Sequence, residues 1–233
     1  MRLDKFLSNN GFGSRKEVKV LIKKNRICVN DSFKVSPEQN IDPLKDVVKI
    51  DDSIIEYKEF YYFLLNKPKG YISATEDFKQ NTVLDLIPEY NHLNLFPVGR
   101  LDKDTTGVLL LTNDGQLGHN LLSPKKHVDK VYIVTTDKEI PVSIKEEFES
   151  GVPIDGELTL PAKINFVSSN VAEVTIHQGK YHQVKRMFSY FGLEVIELHR
   201  SKFAFLNTDN LKEGTYRELT LEEISKLKQL NVK

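Results

Sequence analysis

Five runs rich in valine, isoleucine, leucine and aromatic residues begin at position 60, and they strongly limit the folds open to this chain. They are FYYFLLN, GVLLLT, KVYIVTT, VAEVTI and EVIEL, and each has the composition of a buried strand. Helical stretches are fewer in this region, and we expect them at 115–122, 142–150, 181–191 and 221–230. The sequence therefore predicts an α+β domain built on a large, mainly antiparallel mixed sheet.

The beginning of the chain has a different pattern. Apolar residues at helical spacing in MRLDKFL predict a first helix, and S-R-K-E from Ser14 is a capping box that predicts a second. Short strands are expected at 26–31 and 47–50. We therefore expect a helix-helix-strand domain over residues 1–58, followed by a second domain over residues 59–233.

Basic side chains are concentrated in this first domain. The formal net charge of the whole chain is zero, yet residues 1–34 hold nine basic and three acidic residues. A solvated helix face is the ordinary reason for such lysines. The density of positive charge here favours a surface for RNA or DNA, with salt-dependent binding of low sequence selectivity.

Composition also restricts the class of protein. Cys28 is the single cysteine, so the chain forms no intramolecular disulfide, and we expect a small buried apolar side chain there. The N-terminus lacks the long apolar core of a secretory signal, and no apolar run approaches the ~18 residues of a membrane span. We expect a cytoplasmic protein without a membrane partner.

Four polar segments next to predicted strands hold the candidates for chemistry. They are 66–70 (NKPKG), the stretch around Asp102, 130–132 (KVY) and 179–187 (GKYHQVKRM). The histidines form no HxxxH or HxH pair, so we expect no metal site. The absence of a glycine-rich phosphate loop and of a G-x-S-x-G elbow argues against most kinases, dehydrogenases and hydrolases.

The fourth segment offers basic partners for Asp102. Helical spacing predicts that Tyr181, Val184, Met187 and Phe188 belong to the core, which leaves the basic side chains on other faces. A basic residue there could pair with Asp102 in a cleft and favour its ionised form. An ionised, partly desolvated aspartate is a usable nucleophile, although a simple turn role for Asp102 is the ordinary alternative.

Taken together, the four segments resemble the RsuA family of pseudouridine synthases. That family has NKPxG, GRLDxxTTGLLLLTNDG, a KxY strand and G-x-YHQVKRM in order, and this chain has NKPKG, GRLDKDTTGVLLLTNDG, KVY and GKYHQVKRM. Residues 1–31 are similar to the RNA-binding domain of ribosomal-protein S-four type, and GTYRELTLEEI matches the family ending. The resemblance covers nearly the whole chain and implies the pseudouridine synthase fold.

The resemblance implies isomerisation of a uridine in RNA to pseudouridine without a metal or organic cofactor. It implies that Asp102 is the catalytic aspartate and that Tyr132 lies against the target base. It also implies that Lys185, with Arg186 as the alternative, is the basic partner of the aspartate. Asp104 is expected to be a solvated or turn residue. Asp102 could attack either the base or the sugar, and the resemblance leaves both routes open.

RNA contacts are expected in both domains. A uridine in folded RNA must leave the base stack before it reaches a cleft, and phosphate contacts elsewhere help to offset that cost. The residues expected to contact RNA are Arg2, Lys5, Arg15, Lys16 and Lys23 in the first domain, and Lys67, Arg100 and Lys103 in the second.

The expected substrate is small-subunit (16S) ribosomal RNA, in a partly assembled subunit, and the expected enzyme is a monomer. The compact length and the stretch NKPKGYISATED favour the small subunit. Large-subunit (23S) ribosomal RNA is one alternative. A non-catalytic RNA-binding assembly factor is another alternative. The motifs that a methyltransferase or a nucleotide hydrolase would need are absent from this sequence.

Overall fold

The computed structural model describes residues 1–230, and the chain forms two compact units. The first unit holds Met1–Tyr61 together with Pro88–Leu95. The second holds Tyr62–Ile87 and the chain from Phe96 onward. The last three residues, which the sequence assigned to the second domain, lie outside the described part.

The first unit packs two helices on a small antiparallel sheet. Its elements are α1 (Leu3–Asn9), α2 (Arg15–Lys23), β1 (Ile27–Val29), β2 (Val48–Ile50) and β3 (Ser53–Ile54). The predicted capping box begins α2: Ser14 N donates to the Glu17 carboxylate at 2.8 Å, and Glu17 N donates to the Ser14 hydroxyl at 3.4 Å. Apolar residues of both helices, including Leu3 and Val18, are fully buried in one core. The predicted helix-helix-strand arrangement is confirmed, and Cys28 is buried as expected.

The second unit is built on a nine-stranded sheet. Its sheet strands are β4 (Tyr62–Lys67), β5 (Phe96–Pro97), β6 (Thr106–Thr112), β7 (Lys130–Thr136), β10 (Lys163–Phe166), β11 (Val171–Ile176), β12 (Val195–Phe203), β13 (Leu206–Asn207) and β14 (Tyr216–Glu218), and a separate hairpin is formed by β8 (Pro153–Ile154) and β9 (Glu157–Leu158). Its helices are α3 (Gly115–Leu122), α4 (Ile144–Ser150), α5 (Gln183–Tyr190) and α6 (Leu221–Gln229).

The order of the strands confirms the predicted sheet. The main path is β10-β11-β7-β12-β6-β4-β14, with β13 beside β12 and β5 beside β6. Within the described residues, the pairing of β12 with β6 is parallel and the other strand pairs of this sheet are antiparallel. The α+β class with a large, mainly antiparallel mixed sheet is therefore confirmed.

One glycine allows β6 and β12 to approach closely. Gly107 has a φ of +105°, and a Cβ built there would lie 2.2 Å from the carbonyl oxygen of Arg200. A side chain does not fit at that distance, so the position requires glycine. In register across the sheet, Lys67 pairs with Gly107, Gly107 with Arg200, and Arg200 with Tyr132. This row brings two of the predicted segments to one part of the sheet.

None of the helices within residues 1–230 is both long and apolar enough to span a bilayer.

Candidate active site

Residues from three of the four predicted segments line one cavity of about 70 Å³. Asp102 lies in the loop before β6, Tyr132 in β7, and His182 at the start of α5. Ile176 and Leu198 supply apolar wall. The cavity therefore combines one carboxylate with an aromatic ring and an apolar lining, which suits a flat polar ring.

The Asp102 carboxylate lies between two nitrogen-bearing side chains. Lys185 Nζ is 3.4 Å from Oδ2, and His182 Nε2 is 3.4 Å from Oδ1. The Asp102 side chain is one-quarter exposed, so a ligand in the cavity can reach it. The expected pairing of Asp102 with a basic residue of the fourth segment is present. His182, which the sequence placed only among the residues outside the core, is a second neighbour of the carboxylate.

Lys185 also binds Asp104. Its Nζ donates to both oxygens of Asp104, at 2.6 Å and 2.8 Å. This hydrogen bond is the main cause of the lowered pKa of the Asp104 carboxyl. Asp104 is exposed and lies in a turn, as expected, and it also binds the lysine that neighbours Asp102.

The structure places Arg186 away from Asp102. Its guanidinium pairs with Asp155 and donates from Nη1 to the carbonyl oxygen of Tyr181 at 3.4 Å. Successive residues of an α-helix point about 100° apart, so Lys185 and Arg186 cannot both face the carboxylate. Of the two alternatives, Lys185 is the basic partner of Asp102 and Arg186 is not; a catalytic role for Arg186 stays a prediction.

Tyr181 was predicted to lie in the core and is 72% exposed. The helix begins at Gln183, and His182 before it has a φ of +48°, so helical spacing does not extend to residue 181. Instead, the Tyr181 ring stacks on the His182 ring with centroids 3.8 Å apart. Val184, Met187 and Phe188 are buried as predicted.

Lys67 is not an RNA contact, which corrects the sequence prediction. Its side chain is fully buried, and Nζ donates to the carbonyl oxygens of Pro68 at 3.0 Å, Asp102 at 3.0 Å and Thr105 at 2.8 Å. A longer contact of 3.4 Å reaches Lys103 O. Burial lowers the pKa of Lys67 to about 8. Lys67 therefore fixes the backbone of the loop that carries Asp102.

Two more buried cations lie near Tyr132, and the sequence analysis missed both. Arg200 is 2% exposed and donates from Nε to the carbonyl oxygen of Val108 at 2.7 Å. Lys130 donates to the carbonyl oxygen of Val128 at 3.2 Å, and burial, with the nearby Arg200, lowers its pKa to about 8. Alternation along β7 could have placed Lys130 on the face of Tyr132, since the two are two residues apart. The tyrosine therefore lies in a region rich in buried positive charge.

The other expected RNA contacts are exposed. Arg100 and Lys103 flank Leu101 and Asp102, and Lys103 Nζ donates to Gln80 Oε1 at 3.1 Å. Arg2 is half-exposed, and its guanidinium bonds the buried Asp4 at 2.7 Å. The remaining exposed candidates of the first unit are Lys5, Arg15, Lys16 and Lys23.

The comparison with known families decides the identity. Residues 61–190, more than half of the chain, match the family described as RNA pseudouridylate synthase. The chain belongs to that family. Residues 1–41 of this pseudouridine synthase match the S4 domain. The sequence resemblance is confirmed, and the enzyme is an isomerase that forms pseudouridine in RNA.

Curated relatives match this enzyme over nearly its whole length. The uncharacterized RNA pseudouridine synthase YtzG of Bacillus subtilis is 46% identical, covering 98% of this chain and 99% of the relative. Ribosomal small subunit pseudouridine synthase A of Escherichia coli K12 is 39% identical, with coverage of 97% and 99%. Ribosomal large subunit pseudouridine synthase B of Bacillus subtilis is 37% identical, with coverage of 98% and 96%.

A solved structure titled "Crystal structure of pseudouridylate synthase" also resembles this synthase. The TM-score is 0.69 at 35% sequence identity, and the match covers 97% of this chain and 99% of the other. The pseudouridine synthase fold expected from the sequence is therefore confirmed.

Proposed function

We propose that this enzyme converts a uridine of small-subunit (16S) ribosomal RNA to pseudouridine, with Asp102 as the nucleophile. The observation that carries the proposal is the position of Asp102: its carboxylate faces the cavity of Tyr132, and its two oxygens face Lys185 and His182 at 3.4 Å. The Lys185 ammonium group lies beside this carboxylate, whose oxygen is the nucleophile that can attack the base or the sugar.

The reaction exchanges one bond between base and sugar for another. The N1–C1′ bond breaks, the uracil turns while it stays bound, and a C5–C1′ bond forms with loss of the C5 proton. Tyr132 is 7% exposed, so its ring can lie against the uracil with little water between them. We assign to it the support of the base and a part in the C5 proton step.

The loop that carries Asp102 has to stay fixed during this exchange. Lys67 holds it through the carbonyl oxygens of Asp102 and Thr105. A displacement of about 1 Å at a reacting group can cost roughly 100-fold in rate. We therefore assign Lys67 a positioning role.

This role predicts a pH dependence. The pKa of Lys67 is about 8 in the folded chain and ordinarily 10.5, so the ammonium group loses its charge and one N–H donor as pH rises through about 8. We expect kcat to fall above that pH as the loop loosens. The unfolded chain holds this proton more tightly, so between about 8 and 10.5 the Lys67 contribution to the free energy of unfolding rises with pH.

The measurement is kcat at saturating RNA from pH 6.5 to 9, with urea denaturation at each pH. Lys130 has its pKa in the same range, so the profile is repeated with Lys130→Met, in which the fall in kcat should persist. A kcat that stays constant to pH 9 in the wild type would contradict the positioning role.

Docking of the RNA is assigned to exposed basic residues of the S4 domain. We expect the triple change Lys5→Gln, Arg15→Gln and Lys16→Gln to weaken RNA binding and to reduce the slope of log affinity against log salt by about 2, since each phosphate contact contributes roughly 0.7–0.9. Lys45→Gln, at an exposed lysine outside the predicted set, is the control and should leave the slope unchanged. Filter binding between low and moderate salt measures both. An unchanged salt dependence of RNA binding in the triple variant would contradict the docking role of these residues.

The assignment to the small subunit is tested by the choice of RNA. Relatives named for either ribosomal subunit support ribosomal RNA as the substrate class, and the stretch NKPKGYISATED favours the small subunit. Ribosomal RNA labelled with tritium at uridine C5 is offered as naked 16S RNA, naked 23S RNA and partly assembled small subunits. We expect release from 16S RNA, and most from the assembling particle. Tritium release from 23S RNA alone would contradict the assignment to the small subunit. RNA binding without tritium release from any of these RNAs would favour a non-catalytic assembly factor.

A further inference from the structure

We propose that Tyr181 and His182 form an aromatic shelf on which an RNA base next to the target uridine stacks. The term shelf is used here for these two stacked rings. The inference rests on the proposed function, since it concerns RNA whose uridine is presented to Asp102. It adds a contact for the neighbouring nucleotide.

The shelf is already built in the absence of RNA. The two rings are nearly parallel, with an interplanar angle of 19° and centroids 3.8 Å apart. His182 reaches inward, with Nε2 3.4 Å from Asp102 Oδ1. Tyr181 reaches outward and is 72% exposed. An aromatic surface in solvent is thus joined directly to the carboxylate at which the chemistry is proposed.

The backbone under the shelf is held on both sides. Lys180 N donates to the side-chain oxygen of Gln183 at 3.0 Å, and Gln183 is only 4% exposed. Arg186 Nη1 donates to the Tyr181 carbonyl oxygen at 3.4 Å, and the same guanidinium pairs with Asp155. Because these contacts order the segment beforehand, a base that stacks on Tyr181 orders few protein groups.

The size of the cavity indicates where the neighbouring nucleotides go. About 70 Å³ is far below the roughly 300–1,000 Å³ of pockets that hold drug-sized ligands, so the cavity does not enclose a dinucleotide. Lys180 and His182 both line the cavity, and Tyr181 between them points out of it. A flipped uridine in the cavity therefore leaves its neighbour at the cavity mouth, beside Tyr181.

The chemistry of the shelf fits an unpaired nucleobase. Proteins bind unstacked RNA bases on the faces of tyrosine and histidine rings, and enzymes that flip a base commonly contact the flanking nucleotides. Beside the shelf, Lys180 pairs with Glu157 at 2.8 Å and Arg186 pairs with Asp155, so the charges there are balanced in the free protein. The exposed aromatic face within such a polar surrounding favours an RNA base over an apolar protein surface.

Fluorescence tests the shelf directly, because the chain contains no tryptophan. In Tyr181→Trp, the introduced indole is the only one, and a base stacked on it should quench its emission. The full-length variant is titrated with 16S and 23S ribosomal RNA while filter retention measures binding. Tyr190→Trp is the matched control, since Tyr190 is also exposed and lies at the far end of α5. We expect quenching that follows RNA binding in the first variant and little change in the second.

Kinetics provide the second test. Base stacking on an aromatic side chain strengthens RNA binding, so Tyr181→Ala should raise KM roughly 10-fold with kcat nearly unchanged. Tyr181→Phe keeps the ring and should restore the wild-type KM. C5 tritium release from the RNA substrate gives both constants.

Three results would overturn the shelf. They are RNA binding without quenching of Tyr181→Trp, a wild-type KM in Tyr181→Ala, and a loss of kcat alone, which would mean that Tyr181 acts on Asp102 through His182. These results differ from a failure of the proposed function. In that case, the wild-type enzyme would release no tritium from the RNA. Quenching by bound RNA would then still support the shelf.

Discussion

Asp102→Asn is expected to lower C5 tritium release by at least roughly 10³-fold, while RNA affinity stays within about threefold of wild type. The amide keeps the shape of the side chain and loses both the negative charge and the nucleophilic oxygen. The cavity of about 70 Å³, with Tyr132 in its wall, keeps its lining. Binding should therefore survive the change, and turnover should not.

The neighbouring acid provides a matched control. Asp104→Asn removes a carboxylate that binds the same Lys185 Nζ, at 2.6 Å, in the same loop. We expect a loss of less than about 10-fold, since the removal of an exposed ion pair changes little. A release rate in Asp102→Asn that equals that of Asp104→Asn would show that Asp102 acts only as a charge.

Lys67→Met is expected to have the next largest effect, with kcat lowered about 100-fold and the free energy of unfolding lowered by about 2–4 kcal/mol. Three carbonyl oxygens within 3.0 Å of Nζ lose their donor, and an unsatisfied buried polar group costs about 1–3 kcal/mol. Relief from burying a charge offsets part of this cost. The loss in kcat follows from the freed Asp102 loop.

The same motif contains the control for this variant. Lys69→Met removes an exposed lysine two residues further on, whose Nζ lies 3.6 Å from a Glu197 oxygen. We expect kcat and stability near wild type, since such surface pairs contribute about 0–1 kcal/mol. Urea denaturation and tritium release are measured on both variants. A folded Lys67→Met with wild-type kcat would contradict the positioning role of Lys67.

The sequence predicted the long elements because their signals are local. The strand KVYIVTT lies at Lys130–Thr136, VAEVTI at Val171–Ile176, and the helix predicted at 115–122 at Gly115–Leu122, as expected. The short strands β1 and β2 were predicted, but β5 and β14 of the second unit were not. The latter two contain too few residues for a period to show, and their partners are distant in the chain.

The candidate site was predicted in part, for a comparable reason. The segments around Asp102, Tyr132 and Lys185 were found as polar stretches next to predicted strands, and the roles of Tyr132 and Lys185 came from the family resemblance. The choice between Lys185 and Arg186 needed the direction of each side chain from α5. The burial of Lys67 was also hidden, since a lysine in a polar motif ordinarily lies in solvent, and only the folded loop supplies its carbonyl partners. His182 was missed as a neighbour of Asp102 because it reaches the carboxylate from a left-handed backbone position that helical spacing does not describe.

The most direct test of the account is the amount of pseudouridine formed in 16S ribosomal RNA with enzyme in excess, measured after digestion of the RNA to nucleosides. Wild type and Asp102→Asn are compared on the same RNA, with binding of both verified. The account predicts one pseudouridine per RNA molecule with the wild type and none with the bound variant. Pseudouridine formed by Asp102→Asn at the wild-type rate, or none formed by the wild type, would contradict it.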